Sequence, residues 1–588
     1  MGQCGTGGHC RLKRRFFRRK NVFFLQDHPR PHNYLCTTRI GRDSIKIDAS
    51  IIDYIASREK DFDTSWSLPG MPFKSPGYHS KVPDGAYAHP TRDALMYAYL
   101  LLASGVPSYR TRAVKVVRAV LALQDTDPTS KTYGIWPWLA EEPLTKMSPP
   151  DWNWADFIGA ALLMIYHDHR TRLPKALVSG MRASITHAAY SIFRRNIRSD
   201  YTNIAIMGAG VTLAAGEMFD LPDMFAYGKK RLRDLISHTE HHGGFNEYNS
   251  PTYTIVAVEE LNRIRHLVKD ASIRALVRTL HLHAWTMIAE HWHPATMQWS
   301  GPHSRAYADT LSPETLDLLA RSGAISFTPS RTIPPRVVPC YPLPAVLKER
   351  FASLPKKEFS IRRRFIRHDD DSRSVYGTTW FSPEATIGSS NHDFCWTQRR
   401  TLIGYWKNGD GVAVLRLRFL HNGRDFSTGH IVSTQHDNRI LSIAGVFRNN
   451  GDFHPSLDKP ANNIFRASDL RLRFELTADG AEAGAVGSVF SLSAGMHKAR
   501  IHTSAGKFHG AGVSWTANGM NAIDCILYSG TEKEFLFTAE EEYYIPLGVE
   551  LTPSDAPATD VPVSAECADG ICRAAWDGLA AEASIRPY

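Results

Sequence analysis

TRDALMYAYLLLASG (Thr91–Gly105) and SYRTRAVKVVRAVLALQD (Ser108–Asp125) place apolar residues at three- and four-residue spacing, the period of a helix with one buried face. Only the short turn ASGVPS separates them. The same pattern returns in WNWADFIGAALLMIYHDHR (Trp152–Arg170), PKALVSGMRASITHAAYSIFRRNI (Pro174–Ile197) and NIAIMGAGVTLAAGEMFD (Asn203–Asp220). It continues in VAVEELNRIRHLVKD (Val256–Asp270) and IRALVRTLHLHAWTMIAEHW (Ile273–Trp292). Many successive helical pairs joined by short turns suit an α/α toroid better than a four-helix bundle. No fixed-period repeat runs through them, which disfavours a tetratricopeptide-type array.

The texture changes after Ser330. RTIPPRVVPCYPLPAV (Arg331–Val346) is Pro-rich and reads as a linker. Beyond it come short alternating runs such as SVYGTTWF, GVAVLRLRFL, LSIAGVF and LRLRFEL, punctuated by Gly, Asn and Asp. Short strands with turn signals at this spacing predict an antiparallel β-sandwich. The expected order is a basic extension over residues 1–45, a toroid over 46–330, a linker over 331–358 and a β-sandwich over 359–588. A chain of 588 residues is too long for one core, which agrees with two large domains.

The formal net charge is +10, and the run RLKRRFFRRK (Arg11–Lys20) carries seven positive residues and no acid. Without that run the body is left with +3, so attraction for a polyanion must be local to a cleft. The basic run stands apart from any recognised nucleic-acid motif, which argues against nucleic acid as the partner. No stretch has the apolar length of a membrane span, and no apolar core of a secretory signal follows the basic run. MGQCGT fits the loose N-myristoylation pattern. These features leave localisation open between the cytoplasm and export from a different start; the oligomeric state is not legible. Eight cysteines are too few for a disulfide scaffold. Cys567 and Cys572 flank ADGI and are placed to close a small loop, while Cys340, Cys395 and Cys525 read as buried small hydrophobes.

Reactive side chains gather in HTEHHGGFNEYNSPTYT (His238–Thr254). Gly243-Gly244 breaks one helix and Ser250-Pro251 opens the next, which places Tyr253 in a first helical turn. Asn246, Tyr248 and Asn249 are the polar groups such a helix opening presents to a substrate. WHPATMQWSGPHSRAYAD (Trp292–Asp309) adds Trp299 and Tyr307 for stacking on a sugar, His303, and Arg305 for pairing with a carboxylate; a structural ion pair of Arg305 with Asp309 is the simpler alternative. Asn203 opens an apolar helix, where capping is its ordinary role. His392 in SSNHDFCWTQRR is positioned to reach across a domain boundary, and Trp154 in DWNWADF suits a sugar face. His241-His242 and His291-x-His293 are too close-spaced to share a helix face, so neither a metal nor another cofactor is expected.

GGFNEYNSPTY resembles the Gly-Gly-aromatic-x-Glu-x-x-Ser-Pro-x-Tyr segment of heparinase II/III-like and alginate lyases, with Glu247, Ser250, Pro251 and Tyr253 aligned. Asn203 resembles the Asn that binds the substrate carboxylate in those families. GPHSRAY is similar to a Gly-Arg-x-x-Ser-Arg stretch of chondroitin and hyaluronan lyases at Gly301, Ser304 and Arg305. Many relatives have His where this chain has Ile204 and Thr254, and the chondroitin-type pattern has an upstream His whose nearest substitutes are Tyr248 and His242.

The resemblance implies a toroid-plus-sandwich polysaccharide lyase that acts on an acidic, uronate-containing polymer without a metal. Tyr253, Asn203 and Arg305 would carry the elimination, with His303, His392 or Tyr248 as a second acid or base. A nearby Arg is expected to lower the Tyr253 pKa from its ordinary value of about 10. Two alternatives stand beside it: a glycoside hydrolase using Asp151 with Asp156 or Glu247 with Glu259, and a carbohydrate-binding protein without activity.

Overall fold

In a computed structural model, residues 49–588 are described apart from 329–332, 450–460 and 539. The basic run, the MGQCGT pattern and Cys4, Cys10 and Cys36 lie outside the described residues. A short helix α1 (Ala49–Ser57) precedes four antiparallel helical hairpins. These are α2 (Thr91–Ala103) with α3 (Pro107–Leu121), α4 (Trp154–His169) with α5 (Lys175–Arg195), α6 (Thr202–Phe219) with α7 (Pro222–His242), and α8 (Tyr253–Leu267) with α9 (Ala271–His291). A further helix, α10 (Pro313–Arg321), closes the helical part.

Helices α2, α4, α6 and α8 pack against one another as an inner layer, and α3, α5, α7 and α9 form an outer layer. Sequence explains the division. Helix α6 is apolar on nearly every side and is buried without interruption from Thr202 to Gly216, as a helix surrounded by protein must be. In α7 burial is confined to a stripe of Met224, Gly228, Arg231, Leu232, Leu235 and Thr239, which is the outer-layer pattern.

The break and restart expected around residue 250 are present. Gly243 ends α7 with φ of 98°, and a Cβ there would meet the Arg364 carbonyl oxygen at 2.8 Å. Backbone hand and space therefore both require glycine. Helix α8 begins at Tyr253, whose N–H donates to Ser250 Oγ at 2.9 Å.

Two large antiparallel sheets follow. One runs, in spatial order, Ser514–Ala517, Ala522–Leu536, Ile464–Thr477, Gly411–His421, Leu402–Asn408, Ala385–Ser390, Val375–Phe381 and Phe359–Ile366. The other runs His392–Phe394, Gly429–His436, Arg439–Val446, Tyr543–Pro553, His497–Thr503, Val489–Ala494 and Glu482–Val486. Their alternating apolar faces enclose one core that includes Trp406, Phe419, Phe474, Ile501 and Leu547. The fold class is thus helical first and antiparallel β second. A three-stranded sheet, Ser564–Ala568, Ile571–Trp576 and Leu579–Ser584, packs Trp576 onto Leu441 and Ile443. Cys567 and Cys572 are direct cross-strand partners there, yet both are free thiols. Cys395 and Cys525 are buried, whereas Cys340 is only partly so.

The helical and β parts are joined by backbone as well as side chains. His303 and Arg400 exchange backbone hydrogen bonds of 3.1 and 3.0 Å, and Ala306 N–H donates to the Gln398 carbonyl at 2.8 Å. Tyr248 stacks on Phe365 at 4.4 Å between ring centres and donates its hydroxyl hydrogen to Asp393. The approach is close enough that a Cβ on Gly388 would meet the Gly301 carbonyl oxygen at 2.0 Å. No helix among the described residues is long and apolar enough to cross a membrane.

Candidate active site

The inner helices all run the same way through the ring, so their N-terminal ends meet at one end of it. Trp154, at the start of α4, donates Nε1–H to Thr91 Oγ1 at the start of α2 (3.0 Å). Asn153 donates to the Tyr201 hydroxyl just before α6 (3.3 Å), and the Asn203 N–H points to Glu247 Oε2 (3.4 Å). Convergent helix N-termini contribute positive potential, which suits an anionic ligand.

Tyr253 stands at this end. Its phenol oxygen is 2.7 Å from the Tyr307 hydroxyl and accepts from Arg305 Nη2 at 3.0 Å. The guanidinium carbon of Arg305 lies 4.7 Å from the centre of the Tyr253 ring. Arg305 is held in place by Nε donating to Gln398 Oε1 (2.6 Å) and by an ion pair of Nη1 with Glu247 Oε1 (3.7 Å). Asp309, the structural partner weighed for Arg305, instead pairs with Arg400 and Arg416. Burial raises the Tyr253 pKa; Arg305 opposes it, while Tyr307 adds to the rise. The net direction is upward, opposite to the expectation from Arg305 alone, because desolvation of the phenolate outweighs one neighbouring cation.

Glu247 sits between Arg305 and the start of α6, 7% exposed. Burial pushes its carboxyl up to about 7, against the opposing pull of Arg305 and of the Asn203 N–H. An acid whose folded pKa is raised stabilises the fold below its ordinary value of 4.5 and loses that contribution as pH rises through about 7. Glu247→Gln is therefore expected to gain stability relative to the wild type between about pH 5 and pH 8, by on the order of 3 kcal/mol. Urea denaturation at the two pH values measures it; an equal difference at both would show that Glu247 does not titrate in this window.

The remaining sequence-derived residues separate into three places. Asn203 is the second residue of α6 and not its cap, which is Tyr201; its side-chain oxygen is buried without a hydrogen-bond partner among the described residues. Tyr307 is exposed and Trp154 forms an aromatic wall with Trp138, 5.2 Å between ring centres. These three accompany Tyr253 and Arg305. Asn246, Tyr248 and His392 instead line a cavity of about 1120 Å³ between the helical and β parts, whose lining residues do not include Tyr253. There Asn246 pairs with His238 (2.7 Å) and His392 with the Arg373 carbonyl (3.1 Å).

Trp299, Asn249 and His303 form a buried knot. Trp299, 1% exposed, donates its ring N–H to the Asn249 side-chain oxygen and offers no face to a sugar. Asn249, with φ of 43°, donates to the Ser300 and Pro302 carbonyls at 2.9 and 2.7 Å. His303 holds the Asn249 carbonyl at 2.6 Å, and burial lowers its pKa to about 4. The three brace the loop that carries Arg305, and their polar atoms are used up in doing so. Among the hydrolase carboxylates, Glu259 is tied to Arg336 and Asp156 is buried beneath α6, its pKa raised to about 7 by desolvation.

Four neighbours escaped the sequence reading. Gln398 orients Arg305, and Tyr201 adjoins Glu247, with its pKa raised by burial and then by that carboxylate. Tyr78 and Trp138 pack 6.2 Å apart between ring centres, and Tyr78 lies within the electrostatic reach of Tyr307 and Arg305. Glu247 was legible as a motif residue, but its role between Arg305 and Asn203 was not; Gln398 carries no signal of its own.

Residues 62–315 match the family model described as a domain of unknown function (DUF8769), a stretch that contains Asn203, Glu247, Tyr253, Arg305 and Tyr307. No curated protein matches the sequence. Among solved structures, the chain is similar to a heparinase III at 10% identity and a TM-score of 0.46, over 95% of this chain and 94% of that one. It is similar to the chondroitin AC lyase of Streptomyces coelicolor A3 at 9% identity and a TM-score of 0.45, over 90% of this chain and 83% of that one. A chondroitinase AC lyase studied with oligosaccharides is similar at 8% identity and a TM-score of 0.42, over 89% and 86% of the two chains.

Proposed function

We propose that this protein is a polysaccharide lyase that cleaves a uronic-acid-containing polysaccharide by β-elimination. The observation that carries the reading is the Tyr253 phenol oxygen held between Arg305 and Tyr307, next to Asn203 and Glu247, where the inner helices begin.

The reaction removes the proton beside the sugar carboxylate and expels the glycosidic oxygen from the neighbouring carbon. That proton is weakly acidic while the carboxylate keeps its full charge. Asn203 and a protonated Glu247 supply hydrogen bonds to the carboxylate, and Arg305 supplies positive charge, so the enolate-like state is stabilised as it forms. Tyr253 is protonated at rest and loses its proton through the hydroxyl of exposed Tyr307. As phenolate, stabilised by Arg305, it takes the C5 proton; the C–H electrons form the C4=C5 double bond, and the C4–O bond breaks. Tyr253 then returns the proton to the leaving oxygen on the same face, ready for another cycle. The buried ring of His303 has no part in this route. Ionised Glu247 competes with the substrate carboxylate for Arg305, so substrate binding weakens as pH rises through about 7.

Incubation with alginate, glucuronan and glycosaminoglycans, followed in the ultraviolet, tests the reading. A lyase produces an unsaturated uronide whose conjugated double bond absorbs. New reducing ends without that absorbance would point to hydrolysis, and binding without either product to a carbohydrate-binding protein.

A further inference from the structure

We propose that His167, Asp168 and His266 form a binding site for a divalent transition metal, with zinc the best fit, at the opposite end of the helical ring from Tyr253. His167 and Asp168 lie in the last turn of α4 and His266 in the last turn of α8. His167 Nδ1 is 2.6 Å and His266 Nε2 2.9 Å from the same oxygen, Asp168 Oδ1. One ligand atom from each residue falls within 4.8 Å of the others.

Two imidazoles and one carboxylate are a ligand set suited to zinc, with a water as the fourth ligand. Tetrahedral ligands at zinc bond lengths of about 2.0–2.2 Å stand about 3.3 Å apart. Seating the ion therefore asks each nitrogen to withdraw from Asp168 by less than about 1 Å. Binding an ion through these nitrogens places each ring's N–H on its other nitrogen. Two further observations favour a cation here. Tyr99 donates its hydroxyl hydrogen to Asp168 Oδ2 at 2.8 Å, which orients the carboxylate and leaves Oδ1 for the metal. Helix C-termini carry negative partial charge, and two of them meet at this point.

The ion would staple α4 to α8, whose other ends present Trp154 and Tyr253. Sequence spacing hid the group, because His266 is 98 residues from Asp168.

Zinc binding by the full chain is measured by equilibrium dialysis, and the coordination by the visible d–d bands of cobalt in its place. The expected result is one equivalent of zinc and a tetrahedral cobalt spectrum without the thiolate charge-transfer bands that Cys4, Cys10 or Cys36 would give. His266→Gln and, independently, His167→Gln should each weaken zinc binding by at least about 10-fold. His242→Gln, in the separate histidine group at the end of α7, should leave it unchanged. Zinc should also raise the melting temperature of the wild type and not of the two ligand variants. No bound equivalent, a thiolate-dominated cobalt spectrum, or the same affinity in folded His266→Gln and His167→Gln would overturn the proposal.

Discussion

Tyr253→Phe is expected to lower kcat/KM on a uronate polymer by about 10³-fold, within the range that general acid–base groups contribute. In the proposed elimination the phenol oxygen takes and returns the proton, and Phe keeps the ring while removing it. Stability should change by no more than about 1 kcal/mol, because the lost hydrogen bonds, to Tyr307 and Arg305, lie at the open end of the ring. Oligosaccharide binding, followed by calorimetry, should be retained within a few-fold. Initial rates of ultraviolet absorbance provide the check, and unchanged turnover would remove Tyr253 from the mechanism. In the wild type, burial sets the Tyr253 pKa above its ordinary value of 10. The phenolate fraction therefore grows with pH, and the chemical step should still be accelerating at about pH 9 instead of levelling off.

Arg305→Lys should cost about 10²-fold in kcat/KM, with most of the loss in kcat. The charge survives this substitution, but the planar fork does not. Arg305 uses separate nitrogens for Gln398 at 2.6 Å, Tyr253 at 3.0 Å and Glu247 at 3.7 Å. A lysine ammonium is one point charge on a flexible stem and cannot keep all three directions. Arg305→Ala should lose about a further 10-fold, since both the cation beside the forming phenolate and the charge opposite Glu247 disappear. A lysine variant as active as the wild type would mean that Arg305 contributes only long-range potential.

The helices, the stop at Gly243 and the change to strands were written locally. Apolar period decided α6 against α7, and Gly243 decided where one helix stops because its backbone hand is available to glycine at little cost. Tyr253 at a helix opening followed from the same local chemistry. The candidate site was legible only in part. Its motif named Glu247 and Tyr253, and two separate segments named Asn203 and Arg305, but composition could not separate Tyr307, which is exposed, from Trp299, which is sealed in a knot eight residues earlier.

Local pattern by itself thus determined the element types, their order and the position of Tyr253 at a helix opening, because hydrogen bonding within a helix or a turn depends on near neighbours. Tertiary structure alone decided which polar groups face one another. Gln398 comes from the β part to orient Arg305, and Asp168 meets His266 across the ring. It also decided the protonation states: burial sends the Tyr253 phenol upward despite Arg305 and brings Glu247 to about 7. Desolvation depends on everything packed around a group, and no spacing along the chain encodes it.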